Sequence, residues 1–195
     1  MKTFCISLQD RADRREKVLE ACAKVGIKPE WIQAVDGRST VGGAMGCMFS
    51  HWFCLKLAQH QHLEHFLVIE DDVVFSDDFS LDISDVPDDW DMIYFGGNHI
   101  NSKPVHVKNN VYKCGYTLCA HAIIIRYTCY EKLMQNILLN PDIPVDVVFG
   151  RLHSSIINAY VTFPHTAWQA DSYSDIEKQN VSYRYLQHWN LDGPN

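Results

Sequence analysis

The sequence lacks several features that would assign it to common functional classes. Its 17 Lys and Arg residues are outnumbered by 24 Asp and Glu residues, which gives a formal net charge of -7. Binding to a nucleic-acid backbone calls for a surplus of positive charge, so we expect no nucleic-acid partner. No apolar run approaches the ~20 residues that a membrane span requires. The absence of a G-x-x-x-x-G-K-[ST] loop argues against a P-loop enzyme.

Paired cysteine motifs are also missing. The seven cysteines form no C-x-x-C pair, their number is odd, and most lie within apolar runs. This usage predicts buried free thiols rather than zinc ligands or disulfides. With no export signal recognisable at the N-terminus, we expect a soluble protein of the cytoplasm. The 195 residues, 47% of them hydrophobic, predict a single domain over 1–195.

Strands and helices alternate along the chain. A strand at 3–8, a helix that follows it and ends near Gly26, and a strand at 31–35 form a β-α-β unit. Further strands are predicted at 66–69, 92–95, 111–114, 120–125 and 159–163. Further helices are predicted at 46–61, 127–138 and 145–153, and the rest of the last third is predicted as loops. The fold class indicated is an α/β sandwich with a mostly parallel central sheet.

Three carboxylates follow the apolar strand at 66–69. Glu70, Asp71 and Asp72 stand where a buried strand emerges, which is where open α/β sheets bind ligands. A hard divalent cation, Mn²⁺ or Mg²⁺, takes carboxylate ligands and shares them with phosphates in nucleotide sites. The alternative is a solvated acidic turn, but the apolar strand before the triplet favours a functional site.

Four ordered blocks carry a family resemblance. They are Ile6-Ser7-Leu8 with Arg11, Asp13, Arg14 and Arg15; Ala34-Val35-Asp36-Gly37; Gly46-Cys47 with Ser50-His51; and Ile69-Glu70-Asp71-Asp72-Val73 with Phe75-Ser76 and Phe79. In these blocks the chain resembles glycosyltransferase family 25, the group of lipooligosaccharide and collagen galactosyltransferases. Weaker similarity continues at Gly115-Tyr116, at Pro144-Val145-Asp146, and at Gln169 with Ser174-Asp175-Ile176.

The resemblance implies a GT-A-like, Rossmann-type fold and a UDP-sugar donor. It implies that residues of about 1–100 bind the nucleotide and that those of about 101–195 form the acceptor side. The residues implied along the donor are Ser7, Leu8, Arg11 and Arg14, with Ser50, His51 and Gln169 as secondary candidates. The arginines could instead cap and solvate the first helix, and His51 could be a hydrogen-bonded core residue.

Within the acidic triplet, the resemblance makes Asp72 the first choice as ligand of Mn²⁺ or Mg²⁺, with Glu70 as the second. Glu70 and Asp71 would otherwise lie near the ribose or orient the ligands. Inversion at the anomeric carbon needs a carboxylate base, for which Asp146, Asp171 and Asp175 are available, Asp146 and Asp175 being preferred. Asp146 could instead cap a helix.

The expected reaction is transfer of a hexose, galactose or glucose, to a hydroxyl of a glycan or of a modified protein side chain. Two alternatives stay open on the sequence. One is another metal-dependent nucleotide-processing enzyme that uses the same carboxylates. The other is a catalytically silent module that binds a sugar nucleotide or a glycan, since a fold does not guarantee activity.

Overall fold

The computed structural model describes residues 1–153, 155–174 and 179–189. The first half contains β1 Lys2–Ser7, α1 Ala12–Lys24, β2 Glu30–Gln33, α2 Gly43–His60, β3 His65–Glu70, β4 Val73–Phe75 and β5 Met92–Tyr94. Five further strands follow: β6 Asn98–Ile100, β7 Val105–Lys108, β8 Val111–Lys113, β9 Tyr116–Leu118 and β10 Ala122–Arg126. After a 3-10 turn at Tyr127–Cys129 come α3 Tyr130–Leu139, α4 Val145–His153, β11 Ala159–Thr162, β12 Ala167–Gln169, β13 Ser172–Ser174, β14 Gln179–Val181 and α5 Arg184–Gln187.

One central sheet organises the molecule. Its eight strands stand in the order β2-β1-β3-β10-β5-β11-β8-β7. The pairs β1-β2, β1-β3 and β5-β11 are parallel, and only β10 and β8 run against the other strands of this sheet. The predicted α/β fold with a mostly parallel sheet is therefore confirmed.

The two faces of the sheet carry separate hydrophobic layers, because successive strand side chains point to opposite sides. On β1, Phe4 packs with residues of α2, α3 and α4, whereas Cys5 packs with Val18 and Cys22 of α1. Helix α2 is apolar over more than one stripe because it lies between the sheet and the other helices.

In the first β-α-β unit, the helix ends close to Gly26, as the sequence predicts. Helix α1 stops at Lys24, and Gly26 follows with a φ of +71°. Glycine has no Cβ to oppose this left-handed conformation, so it lets the chain turn back toward β2. Strand β2 then adds beside β1 in parallel.

The C-terminal part contains strands that the loop prediction omitted. Strand β12 pairs antiparallel with β4, with Gln169 opposite Val73, and β13 pairs with β14 as a hairpin. These strands have three residues each, which is too short for period-two alternation to stand out. The pairing of β12 with β4 brings residues 167–169 beside the strand that directly follows Glu70, Asp71 and Asp72.

All seven cysteines are free thiols, as predicted, and Cys5, Cys22, Cys54, Cys114 and Cys129 are buried. Among the described helices, none combines the length and the apolar character that crossing a membrane requires.

Candidate active site

The site begins where three parallel strands end side by side. In register, Ile6 of β1 stands opposite Ile32 of β2 on one side and Glu70 of β3 on the other. The loops after β1, β2 and β3 therefore leave the sheet at the same edge, where ligands bind in open α/β sheets.

A cleft opens at this edge, between those loops and the segment from β12 to α5. It is lined by most of the residues predicted to bind the donor and by the predicted metal ligands: Ser7, Leu8, Arg11, Arg14, Ser50, Gln169, Glu70, Asp71 and Asp72. His51 is not among the lining residues, but its Nε2 atom contacts the carboxylate of Glu70, which does line the cleft. The fold thus brings together residues that are up to 162 positions apart, from Ser7 to Gln169.

Arg14 links the acidic residues to the C-terminal hairpin. Its Nη1 donates to Asp71 Oδ1 at 2.9 Å and lies 3.4 Å from Asp72 Oδ2. Its Nη2 donates to Ser172 Oγ at 3.0 Å and to the Tyr173 carbonyl at 2.8 Å. The guanidinium therefore neutralises part of the acidic charge and holds the hairpin over the cleft.

Asp72 has the electrostatic character of a cation ligand. Burial raises its pKa, and the neighbouring Glu70 carboxylate raises it further, while Arg14 acts in the opposite direction. Its Oδ1 atom is buried and has no hydrogen-bond partner within the described part of the chain. An unpaired buried acceptor beside other carboxylates is costly, and a divalent cation would offset that cost. Asp72 and Glu70 therefore suit Mn²⁺ or Mg²⁺.

Two side chains of helix α2 contact the carboxylate of Glu70. His51 Nε2 lies 3.0 Å from Glu70 Oε1, and Cys47 Sγ lies 3.7 Å from the same oxygen. Burial acts to raise the pKa of Glu70, but its hydrogen bond with His51 and the positive charge that this histidine can carry outweigh it, so the pKa is lowered. Glu70 is therefore stabilised as a carboxylate.

The N-terminus of α2 contributes to the cleft. Gly43 in its first turn lines the cleft, and this turn contains no acidic residue. A helix N-terminus favours an anion through its free N–H groups and its dipole. Ser50 ties the preceding loop to α2, since its Oγ accepts from Val35 N and donates to the Gly46 carbonyl.

Glycine is required where that loop approaches α2. A Cβ on Gly46 would lie 2.4 Å from the Val35 carbonyl oxygen and 2.8 Å from Gly37 N. Only glycine allows so close a backbone contact. The contact places Arg38, which lines the cleft and pairs with Asp10 and Asp36, beside the N-terminus of α2.

Of the candidate bases, the two that the structure describes, Asp146 and Asp171, do not line the cleft. Asp146 stands in the first turn of α4, where its carboxylate accepts from Cys119 N and Val147 N. Asp171 pairs with Arg184 and accepts from Tyr183 N. Asp175 lies outside the described residues, directly after Ser174, which lines the cleft.

Sequence reasoning missed several lining residues: Arg38, Ser172, Ser174, Val181 and Tyr183. Arg38 had a usable signal, because it follows the Asp36-Gly37 turn at the carboxyl end of β2. The others come from a polar tail with no recognisable pattern, and the β12-β4 pairing brings that tail to the cleft.

Comparison with known proteins finds similarity to one family of glycosyltransferases. Residues 37–114 match the model of glycosyltransferase family 25, described as an LPS biosynthesis protein. A glycosyltransferase 25 family member of Aedes aegypti is 26% identical over 206 residues, covering 86% of this chain and 34% of that protein. Human procollagen galactosyltransferase 2 is 26% identical, covering 73% and 29%. The human inactive glycosyltransferase 25 family member 3 is 27% identical, covering 74% and 30%. The chain thus spans about a third of the length of the curated relatives it matches.

Two solved structures share the fold at low sequence identity. A glycosyltransferase involved in the glycosylation of the major capsid of PBCV-1 aligns with a TM-score of 0.54 at 11% identity, covering 84% of this chain and 81% of that one. A mutant of Drosophila β1,4-galactosyltransferase 7, in complex with manganese, UDP-Gal and xylobiose, aligns with a TM-score of 0.51 at 11% identity, covering 93% and 74%.

These neighbours show that the sheet and its flanking helices form a GT-A fold. The matched segment starts at Gly37 and includes the close contact of Gly46, the cluster around Glu70, and the acidic strand end. The curated relatives agree with this match, so the chain resembles glycosyltransferase family 25 in the segment that contains the acidic residues.

Proposed function

We propose that this chain is a metal-dependent glycosyltransferase that moves a hexose, galactose or glucose, from a UDP-sugar to a hydroxyl of a glycan or of a modified protein side chain. The observation that carries this proposal is the charge arrangement of the cleft. The three carboxylates of 70–72 line one cleft together with Gly43 in the first turn of α2 and with Arg11, Arg14 and Arg38. Such a cleft suits a diphosphate that is bridged by a cation to acidic side chains.

Each side of the cleft has a separate task in this proposal. Asp72 and Glu70 would hold Mn²⁺ or Mg²⁺, which when bound stabilises the departing diphosphate. Arg11 and Arg14 would donate to phosphate oxygens or to the uracil edge, and Asp71 would orient Arg14. The manganese and UDP-Gal in the solved galactosyltransferase complex support the same choice of ligands.

For the attacking hydroxyl we propose that a carboxylate removes the proton while the anomeric carbon inverts. Asp146 and Asp175 are the two candidates. The backbone hydrogen bonds that Asp146 accepts favour a capping role for it. Replacing each by Asn and measuring kcat separates them, because loss of a general base lowers kcat by about 10²–10⁴-fold.

We propose that residues of about 101–195 form the acceptor side. The nucleotide would be bound by residues of about 1–100, together with the cleft-lining residues of 169–183.

The seven free thiols favour a reducing compartment, and we propose the cytoplasm.

The first test is thermal unfolding with UDP and a panel of UDP-sugars, with and without Mn²⁺. A ligand at about 100 times its Kd stabilises the folded state by about 2.7 kcal/mol, which for a chain of this size raises Tm by about 5–10 °C. Asp72→Asn should lose the Mn²⁺-dependent shift, whereas Asp78→Asn, an exposed aspartate in the next loop, should keep it. The absence of a shift with every nucleotide would contradict the proposal.

A second candidate is a silent module that binds a sugar nucleotide or a glycan, favoured by the similarity to proteins named inactive. Assaying the nucleotide product with an acceptor panel distinguishes it. Transfer releases UDP, and Asp72→Asn abolishes that release, whereas a silent module binds with no turnover in either form. Release of UMP or phosphate would indicate a nucleotide-processing enzyme instead.

A further inference from the structure

A cluster of three different metal-binding side chains lies behind the acidic strand end. Cys47 and His51 are four residues apart on α2, so they lie on the same helix face. Glu70, the last residue of β3, faces them from the sheet. The sulfur of Cys47, a ring nitrogen of His51 and a carboxylate oxygen of Glu70 all lie within 4.8 Å of one another.

We propose that Cys47, His51 and Glu70 form a binding site for a zinc-class divalent cation, which adjoins the proposed cation site at Asp72 and shares Glu70 with it. The set of a thiolate, an imidazole and a carboxylate is suited to Zn²⁺ and not to Mn²⁺ or Mg²⁺, which prefer oxygen ligands. The proposal does not depend on the reaction assigned above.

Two of the three ligand separations are close to those around a tetrahedral ion, and the third is no more than 4.8 Å. Zn–N, Zn–O and Zn–S bonds of the usual lengths place tetrahedral ligand atoms about 3.3–3.6 Å apart. His51 Nε2 and Glu70 Oε1 are 3.0 Å apart, and Cys47 Sγ and the same Oε1 are 3.7 Å apart. Each separation is within about 0.5 Å of the tetrahedral value.

The fourth ligand position faces the cleft. Cys47 and Glu70 both line it, while His51 is 1% exposed and closes the site from behind. Three protein ligands with an open fourth position leave room for water or for an oxygen of a bound ligand. An ion at this site would share Glu70 with the donor site, so Zn²⁺ would compete with the Mn²⁺-dependent binding of nucleotide.

The competing explanation is a hydrogen-bonded cluster that only fixes the position of Glu70. Cobalt distinguishes the two, because Co²⁺ replaces Zn²⁺ with similar geometry and reports a thiolate ligand by a near-ultraviolet charge-transfer band. We would titrate the chelator-treated protein with Co²⁺ in the absence of nucleotide. The expected result is one equivalent bound with this band, which stoichiometric Zn²⁺ then displaces.

Variants assign the band to the cluster. Cys47→Ser should remove it, and His51→Gln should weaken Co²⁺ binding by at least about 10-fold, the lower end of the effect seen for residues that only orient a ligand. Cys119→Ser, a change at another partly exposed thiol, should retain the band. Asp72→Asn should also retain it while losing the Mn²⁺-dependent nucleotide shift, so failure of this proposal and failure of the glycosyltransferase proposal are distinguishable.

Two results would overturn the site. One is Co²⁺ binding without a charge-transfer band, which would mean oxygen ligands only. The other is a band that persists in Cys47→Ser, which would place the thiolate elsewhere. If Cys47→Ser does not fold, unchanged Co²⁺ affinity in folded His51→Gln, checked by its thermal unfolding, overturns the proposal equally.

Discussion

Replacing Arg14 by Gln tests whether the acidic strand end is held by one guanidinium. Arg14 contacts two carboxylates and two groups of the C-terminal hairpin, and its side chain is only 14% exposed. The carboxylates of Asp71 and Asp72 are similarly covered, at 9% and 11%. Removing one partner of such a buried pair costs about 3–5 kcal/mol because a charge remains uncompensated. We expect about 3 kcal/mol, since Gln retains one hydrogen bond.

The cost should depend on pH in a definite direction. Burial raises the pKa of Asp71 and of Asp72, and Arg14 counteracts this. Without Arg14 both pKa values rise further above the unfolded value of about 3.9. A carboxyl with a raised folded pKa binds its proton more tightly when folded, so acid favours the folded variant. The deficit of the variant should therefore be largest near pH 8 and shrink as the pH falls toward 4.

Urea unfolding of both proteins across this pH range measures the effect. The matched control is Arg38→Gln, because Arg38 pairs with Asp10 and Asp36 at the surface, where their side chains are 33%, 58% and 47% exposed. Such a pair is worth about 0–1 kcal/mol. A deficit for Arg14→Gln no larger than that of the control, or a deficit that grows on acidification, would refute the reasoning.

Three further predictions concern other parts of the fold. Burial lowers the pKa of His99 and of His153 to about 3 and that of His165 to about 4, and it also lowers the pKa of His121. Since these pKa values lie below the unfolded value of about 6.5, the four histidines make stability fall as the pH drops from 6 to 5, and His99→Gln should reduce that slope by about 1 kcal/mol per pH unit in urea unfolding. Gly46→Ala should destabilise the protein by about 1–3 kcal/mol in urea unfolding, since its Cβ would meet the Val35 carbonyl at 2.4 Å; a neutral or stabilising effect would contradict the close contact. Asp146→Ala should cost about 1–2 kcal/mol, because Cys119 N and Val147 N lose their acceptor, and a kcat that falls by more than the folded fraction would indicate a catalytic role instead.

Much of the architecture of the first half of the chain could be predicted because it depends on local pattern. The β-α-β unit follows from a change of hydrophobic period between 3–8 and the helix after it, and Gly26 marks where that helix ends. The carboxylates at 70–72 follow an apolar strand, so their place at the edge of the sheet could be foreseen. Helix α2 is apolar over more than one stripe, a pattern that is typical of a buried helix.

The sequence by itself determined the strand-end carboxylates, the unpaired thiols and the alternation of strands and helices, since each depends on neighbouring residues. Only the tertiary structure decided that Arg14 meets Ser172 across 158 positions, that β12 pairs with β4, and that His51 contacts Glu70. It also placed the antiparallel β10 between β3 and β5. These are contacts between distant segments, and their register is set by packing and by the pairing of backbone groups, which leave no periodic trace in the sequence.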